Sequence, residues 1–300
     1  MLKYNIKELH ELYNRGVNIT VELQNRSHSQ KNSLEAIKLA YDFQAGTYVE
    51  HYLSNKEYCH KVSDIVSDKI KACFPDAKSV LDVGCGELTG TMSLYKKLCN
   101  FDYFYGCDLS LSRLFVGRKF LRDNDFEDTK IRCYTGSMTH LPHPDNSIDL
   151  IISQHALEPN RGRELDILKE LLRVSRCGLL LMEPDYKNAC SEQKHRMDKL
   201  GYVNKLEESF EQLGVGFDIS PMNIWDNVLN KASLFSVFKQ NKTEVGEPPK
   251  GFVDPISKSA LIKDNNYYFS IDQGLLYPIV KKIPVFDATN SVVCTKYLDF

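Results

Sequence analysis

The sequence has little excess charge of either sign and no long apolar segment. Its 300 residues include 38 basic and 40 acidic side chains, a formal net charge of −2. Basic residues form only short clusters, such as Arg161 with Arg163, whereas binding of long nucleic acid needs an extended basic face. No signal-peptide pattern occurs, and no apolar run reaches the roughly 18 residues of a membrane-spanning helix. We therefore expect a cytoplasmic protein without a membrane or nucleic-acid partner.

Cysteine pairs with metal-ligand spacing are also lacking. The nine cysteines are scattered along the chain, and no two of them form a C-x-x-C pair. That spacing is typical of structural zinc sites and of redox-active dithiols. The pattern predicts reduced thiols and no metal.

The most informative segment is an apolar run that ends in a glycine-rich turn. Residues 79 to 90 read Ser-Val-Leu-Asp-Val-Gly-Cys-Gly-Glu-Leu-Thr-Gly. Their G-x-G-x-x-x-G spacing is one residue longer than the dinucleotide fingerprint. The carboxylate of Asp82, just before the first glycine, suits the ammonium and sulfonium of S-adenosylmethionine better than an anionic pyrophosphate. The alternative is that Asp82 only caps a turn and that the glycines only permit close packing.

A second acid supports a nucleoside cofactor. Asp108 ends the next apolar run, Tyr103 to Cys107. In a doubly wound sheet, an acid at this position lies near the ribose hydroxyls of the bound nucleoside.

These residues resemble the class I S-adenosylmethionine-dependent methyltransferases, from about residue 35 to about residue 240. Residues 80–86 look like the family's first motif, and Asp108 looks like its ribose-binding acid. Residues 136–142 resemble the loop beside adenine, although Ser137 stands where the family usually has an acid. Residues 147–158 and 178–186 resemble the fourth and fifth strands with their active-site turns. The resemblance implies an α/β, Rossmann-like, seven-stranded sheet that binds S-adenosyl-L-methionine.

Motif positions and the resemblance together predict the cofactor-binding residues. Tyr48 is included because a tyrosine face can stabilise a sulfonium by cation-π contact, although it could equally be a core aromatic residue. The predicted set is Tyr48, Asp82, Gly84, Cys85, Gly86, Asp108, Leu109, Ser137, Met138 and Gln154.

Three further residues are predicted to be catalytic: His155, Glu158 and Glu183. Methyl transfer depends mainly on positioning, and a hydroxyl acceptor also needs a base. His155 is the best candidate base because imidazole titrates near neutral pH. The alternatives are that His155 only braces the pocket and that Glu183 is a helix cap.

The order of sequence patterns predicts three parts. Residues 1–60 form an N-terminal helical cap, with helical spacing from Leu2 to Tyr13 and from Leu34 to Tyr52. Residues 61–240 form the methyltransferase domain, in which strand and helix signals alternate as in a parallel sheet. Residues 241–300 form a linker and a small β module. Expected strands are 79–83, 103–107, 130–134, 148–153, 178–183, 217–220 and 233–239, and 221–225 is expected to border the acceptor site.

The C-terminal module resembles the small zinc-ribbon activator of tRNA and release-factor methyltransferases. Asp254 and Ser257 stand where the first cysteine pair of that family would be. Tetrahedral structural zinc needs four thiolate or imidazole ligands, which this module cannot supply. We expect a metal-free ribbon that supports the catalytic domain or forms a dimer surface, held together by Tyr267, Tyr268, Phe269, Leu276, Tyr277 and Phe286.

The sequence therefore favours an S-adenosylmethionine-dependent methyltransferase that acts on oxygen or nitrogen of a small polar acceptor. A sugar, sugar nucleotide or surface-glycan precursor is the preferred acceptor class. A tRNA or protein methyltransferase and a non-catalytic S-adenosylmethionine-binding scaffold are the alternatives.

Overall fold

The structure, a computed structural model, describes residues 4–222, 224, 229, 231–240, 244–248 and 251–299. Leu2 of the predicted first helix and Asn223 and Trp225 of the predicted acceptor border lie outside these residues. The helices are α1 (Ile6–Asn14), α2 (Ile19–Ser27), α3 (Leu34–Phe43), α4 (Thr47–Ser54), α5 (Lys56–Cys73), α6 (Thr89–Lys97), α7 (Leu111–Asp123), α8 (Glu164–Val174), α9 (Ser191–Leu200) and α10 (Leu206–Gln212). The strands are β1 (Ser79–Val83), β2 (Tyr103–Asp108), β3 (Ile131–Thr135), β4 (Ile148–Gln154), β5 (Ser175–Pro184), β6 (Gly216–Pro221), β7 (Ala232–Phe238), β8 (Leu261–Lys263), β9 (Tyr267–Ser270), β10 (Leu275–Val280), β11 (Ile283–Pro284) and β12 (Val292–Val293).

Seven strands form one mixed sheet in the order β3-β2-β1-β4-β5-β7-β6. The first five strands in sequence are parallel, and β7 is antiparallel to both of its neighbours. This sheet confirms the predicted α/β methyltransferase fold. The strand order reverses between β1 and β4, and ligands of open α/β sheets bind beyond the carboxyl ends of the strands at such a point.

Helices cover both faces of the sheet. As a result, β1, β4 and β5 are buried along their whole length or nearly so. On one face, Ile70 of α5 and Leu114 of α7 are fully buried against the sheet. On the other face, Leu171 of α8 packs in the same cluster as Phe210 of α10. None of the described helices is long and apolar enough to cross a membrane.

The N-terminal cap differs from its prediction in two respects, the first of which is the additional helix α2. The expected helical stretch from Leu34 to Tyr52 is two helices, separated at Gly46 with φ +109°. The first turn of α4 is held by Glu87, whose carboxylate accepts hydrogen bonds from the amides of Gly46 (2.9 Å) and Val49 (2.7 Å). The cap is therefore attached directly to the glycine-rich loop that follows β1.

The C-terminal module is a small sheet in the order β11-β10-β9-β8, with β12 paired to β10. Asp254 occupies the place of the first expected cysteine. Its Oδ1 accepts from the amides of Ile256 and Ser257 at 2.7 Å each, and its Oδ2 accepts from the Tyr277 hydroxyl at 3.1 Å. A carboxylate thus orders this turn.

The module packs against the methyltransferase sheet. The Phe286 amide donates to the Thr135 carbonyl (2.8 Å) at the end of β3. The rings of Phe286, Tyr268 and Tyr277 belong to the same buried cluster as Tyr134 of β3. The module therefore lies against β3, and its supporting role stays a prediction.

Candidate functional site

A cavity of about 670 Å³ lies at the carboxyl ends of β1, β2 and β4, next to helices α3 and α4. Its volume is in the range of small-molecule and cofactor sites. The lining includes most of the predicted site residues: Tyr48, Asp82, Gly84, Cys85, Gly86, Asp108, Leu109, Met138, Gln154, His155 and Glu158. Ser137 and Glu183 are not among the lining residues.

The glycine-rich loop needs its glycines for two reasons. Gly84 and Gly86 have φ angles of +73° and +52°, a region that side chains with a Cβ rarely adopt. A Cβ on Gly84 would also lie 2.1 Å from the Cβ of Ala156, in the loop after β4. The two loops that flank the cavity can approach this closely only because residue 84 has no side chain.

Asp108 is held in a fixed orientation at the end of β2. Its Oδ2 accepts from the Gly86 amide at 2.9 Å, and its Oδ1 accepts from the Ser110 amide at 2.8 Å. A carboxylate has about four acceptor positions, so both oxygens can still accept hydrogen bonds from a diol. Burial raises the pKa of Asp108, and the nearby Arg113 guanidinium opposes that rise.

One of the two carboxylate oxygens of Asp82 is poorly satisfied. Its Oδ2 accepts from the Thr91 hydroxyl at 2.6 Å, whereas its buried Oδ1 makes no hydrogen bond of acceptable geometry with the described residues, and the Gln154 side chain is close enough to lower the pKa of the carboxyl. Burial raises the pKa of this carboxyl to about 7. An unsatisfied buried acceptor is unfavourable by about 1–3 kcal/mol, and a cationic ligand group at Oδ1 would remove that cost. The donor set therefore fits the ammonium group of S-adenosylmethionine.

Two buried charged residues at the cavity were not singled out from the sequence. Glu87 holds α4, as described above. The Arg113 guanidinium lies over the rings of Tyr48 and Tyr41, at 4.3 Å and 4.8 Å from their centroids, and its Nε donates to the Tyr41 carbonyl at 3.0 Å. Part of the predicted cation-π surface of Tyr48 is therefore in contact with a residue of the protein itself.

Glu183 holds the loop after β4 through hydrogen bonds to its backbone amides. Its Oε1 accepts from the Ala156 and Leu157 amides at 3.0 Å each, and its Oε2 accepts from the Glu158 amide at 3.1 Å. The side chain is fully buried, and burial raises its pKa to about 7. Glu183 is therefore placed to position the loop, and the structure does not bring it to the cavity with the other predicted catalytic residues.

His155 and Glu158 face the cavity from that loop. His155 has φ +59°, and its Nδ1 lies 3.2 Å from Glu158 Oε2. Burial lowers the pKa of His155, but the hydrogen bond and the charge of Glu158 outweigh it, and the pKa is raised overall. The pair can orient the imidazole and stabilise its protonated form, which is what a general base requires.

Ser137 lies apart from the cavity lining. Its hydroxyl is 2.7 Å from the Thr139 hydroxyl and accepts from the Thr139 amide at 3.2 Å. The neighbouring Met138 does line the cavity. The predicted contact of Ser137 with a cofactor is therefore not evident from its side-chain position.

Comparison with known proteins identifies the central part of the chain. Residues 80–178 match the family model described as a methyltransferase domain. The demethylmenaquinone methyltransferase of Listeria welshimeri is 29% identical over 100 residues, which are 33% of this chain and 41% of that protein. The match thus spans about two fifths of the curated relative.

Two solved methyltransferase structures are among those similar to this chain. Geranyl diphosphate C-methyltransferase from Streptomyces coelicolor has a TM-score of 0.47 and 10% identity, over 60% of this chain and 81% of that one. An S-adenosylmethionine-dependent methyltransferase from Aquifex aeolicus has a TM-score of 0.40 and 16% identity, over 58% and 89%. Residues 80–178, which include β2, β3 and β4, are thus similar to a methyltransferase domain.

Proposed function

We propose that the protein transfers a methyl group from S-adenosylmethionine to oxygen or nitrogen of a small polar acceptor. The observation that carries this proposal is the pair Asp82 and Asp108. These acids lie near the carboxyl ends of the adjacent strands β1 and β2 and line one cavity, and the buried Oδ1 of Asp82 makes no hydrogen bond of acceptable geometry with the described residues. Such an arrangement suits a ligand with an ammonium group and a ribose diol.

S-adenosylmethionine, when bound, supplies an electrophilic methyl group. The chain's own residues then bind the cofactor and orient the acceptor. Asp108 accepts hydrogen bonds from the ribose, Asp82 pairs with the ammonium, and Leu109 and Met138 offer apolar contact to adenine. His155, oriented by Glu158, takes the proton that a hydroxyl or amine acceptor loses.

The acceptor class from the sequence remains a prediction. A sugar or another hydroxylated ring suits a cavity lined by tyrosines and small polar side chains. A sugar nucleotide is less well suited, because its pyrophosphate would meet Arg113 as the only Arg or Lys among the described lining residues. The near-neutral chain charge disfavours tRNA as a substrate.

Transfer can be tested with radiolabelled S-adenosylmethionine and a panel of sugars, amino sugars and small amines. We expect label to pass to at least one acceptor and the rate to fall about a hundredfold or more in His155→Asn, the usual contribution of a general base. Cofactor binding without transfer to any small molecule would favour the scaffold alternative. Transfer at an unchanged rate in His155→Asn would contradict the role of the base.

A further inference from the structure

The cavity has an acidic and aromatic region around Glu158. This side chain is 7% exposed and lines the cavity beside Tyr41. Burial, and after it the charge of Glu158, raises the pKa of Tyr41. Neither Tyr202 nor the Arg196 guanidinium that lies 5.5 Å from the centroid of its ring is a lining residue. The cavity thus holds one buried carboxylate that is paired with His155 and accompanied by Tyr41.

The charges of the lining select against an anionic acceptor. Among the described lining residues there are four carboxylates, Asp82, Glu87, Asp108 and Glu158, against a single Arg or Lys, which is Arg113. Arg113 is already engaged with the cap, through the Tyr41 carbonyl and two tyrosine rings. A phosphate or carboxylate brought to Glu158 would lose its hydration and would have to compete with that carboxylate for His155, its hydrogen-bonded partner, which is unfavourable in a buried site.

We infer that the methyl acceptor is an amine, which Glu158 holds through its N–H groups beside Tyr41. This inference rests on the proposed methyl transfer and specifies its substrate class. Hydrogen bonds from a cationic donor to a carboxylate are roughly twice as strong as neutral ones. An ammonium also gains from contact with an aromatic face where water is excluded. An alcohol could donate only one hydrogen bond to this region and would bring no charge to match the carboxylate.

The same arrangement suits the reaction itself. The bound ammonium first gives one proton to His155. The resulting free amine uses its lone pair to form the new N–C bond, and the S–CH₃ bond breaks with its electron pair going to sulfur. Sulfonium becomes neutral thioether, and the positive charge moves to the acceptor nitrogen. Glu158 is placed to stabilise that developing charge. The product leaves as the methylated ammonium, and His155 returns its proton to water.

The test uses the full chain saturated with S-adenosylhomocysteine and two matched sets of probes. One set is glucosamine, glucose and glucose 6-phosphate, and the other is phenethylamine, phenethyl alcohol and phenethyl phosphate. Binding is measured by calorimetry. We expect the amine of at least one set to bind about ten- to a hundredfold more tightly than its alcohol and phosphate partners, as expected for a charged hydrogen bond. Tighter binding of an alcohol or a phosphate, or no preference for either amine, would overturn the inference.

Variants separate this inference from the proposed function. Glu158→Gln is nearly isosteric and should abolish the amine preference, and Tyr41→Leu, which removes the aromatic face, should weaken it. Glu50→Gln, at an exposed position of α4 outside the lining, is the matched control and should keep it. An amine preference that persists in Glu158→Gln would refute the assigned role of the carboxylate. Failure of S-adenosylhomocysteine to bind the unmutated chain would instead refute the proposed function.

Discussion

Replacement of Gly84 by alanine tests the contact between the two loops that form the cavity. Gly84 has φ +73°, and its added Cβ would lie 2.1 Å from the Cβ of Ala156. Two atoms at that distance overlap strongly, so one of the loops must move. Ala156 is held by Glu183 through its amide, which limits how easily the loop after β4 can yield.

The loss of stability in Gly84→Ala can be calculated from two effects, the backbone conformation and the overlap with Ala156. A left-handed backbone conformation is unfavourable by roughly 1–2 kcal/mol for a residue with a Cβ. Overpacking of a well-packed site adds about 1–3 kcal/mol. We therefore expect Gly84→Ala to lower the free energy of unfolding by about 2–5 kcal/mol.

Gly214 provides the matched control. It has φ +64°, but an added Cβ would meet no atom within 4 Å. Gly214→Ala should therefore show only the backbone contribution of about 1–2 kcal/mol and should bind S-adenosylhomocysteine normally. Urea denaturation and calorimetry of both variants give the comparison. Equal destabilisation of the two variants, or normal cofactor binding by Gly84→Ala, would refute the proposed loop contact.

Three further results are expected. Glu183→Gln should lower kcat about tenfold or more, while the affinity for S-adenosylhomocysteine stays within about twofold. The reason is that the carboxylate orders the loop of His155 and does not line the cavity. Equal losses of kcat and of affinity would indicate general misfolding. Cofactor affinity should fall as the pH decreases below about 7, by up to about tenfold per pH unit, because Asp82 must lose its proton to pair with an ammonium. Asp82→Asn should make the affinity nearly independent of pH in this range, and an unchanged slope would contradict the pairing. Asp254→Asn should destabilise the C-terminal module by about 1–3 kcal/mol in urea denaturation without changing cofactor affinity. Unchanged stability would argue against the view that this carboxylate orders the turn.

The structural features that could be predicted from the sequence are those that depend on residues close together along the chain. The strand that ends before Gly84, the glycine spacing and Asp108 all lie in local patterns, and β1 was predicted with the bounds that the structure has. The predicted start of β5 at residue 178 was three residues late. Its first residues, Ser175 to Cys177, include an arginine, and the ion pair of Arg176 with Asp149 that permits its burial is not visible in the sequence.

Contacts between distant segments could not be predicted in the same way. Glu87 holds amides about 40 residues earlier in the chain, and Glu183 holds amides about 25 residues earlier. Neither separation leaves a periodic pattern, because each contact arises only when the strands align. Glu183 was predicted to be catalytic from its position at the end of a strand, whereas its side chain accepts hydrogen bonds from the loop after β4 and does not line the cavity.

The most direct test of the account is calorimetric titration of S-adenosylmethionine and S-adenosylhomocysteine into the unmutated protein and into Asp108→Ala. The account predicts saturable binding of both compounds to the unmutated protein. It also predicts a loss of about tenfold or more in Asp108→Ala, which removes the buried carboxylate at the ribose position. Absence of binding to the unmutated protein, or equal affinity in the variant, would contradict the assignment of this cavity as the cofactor site.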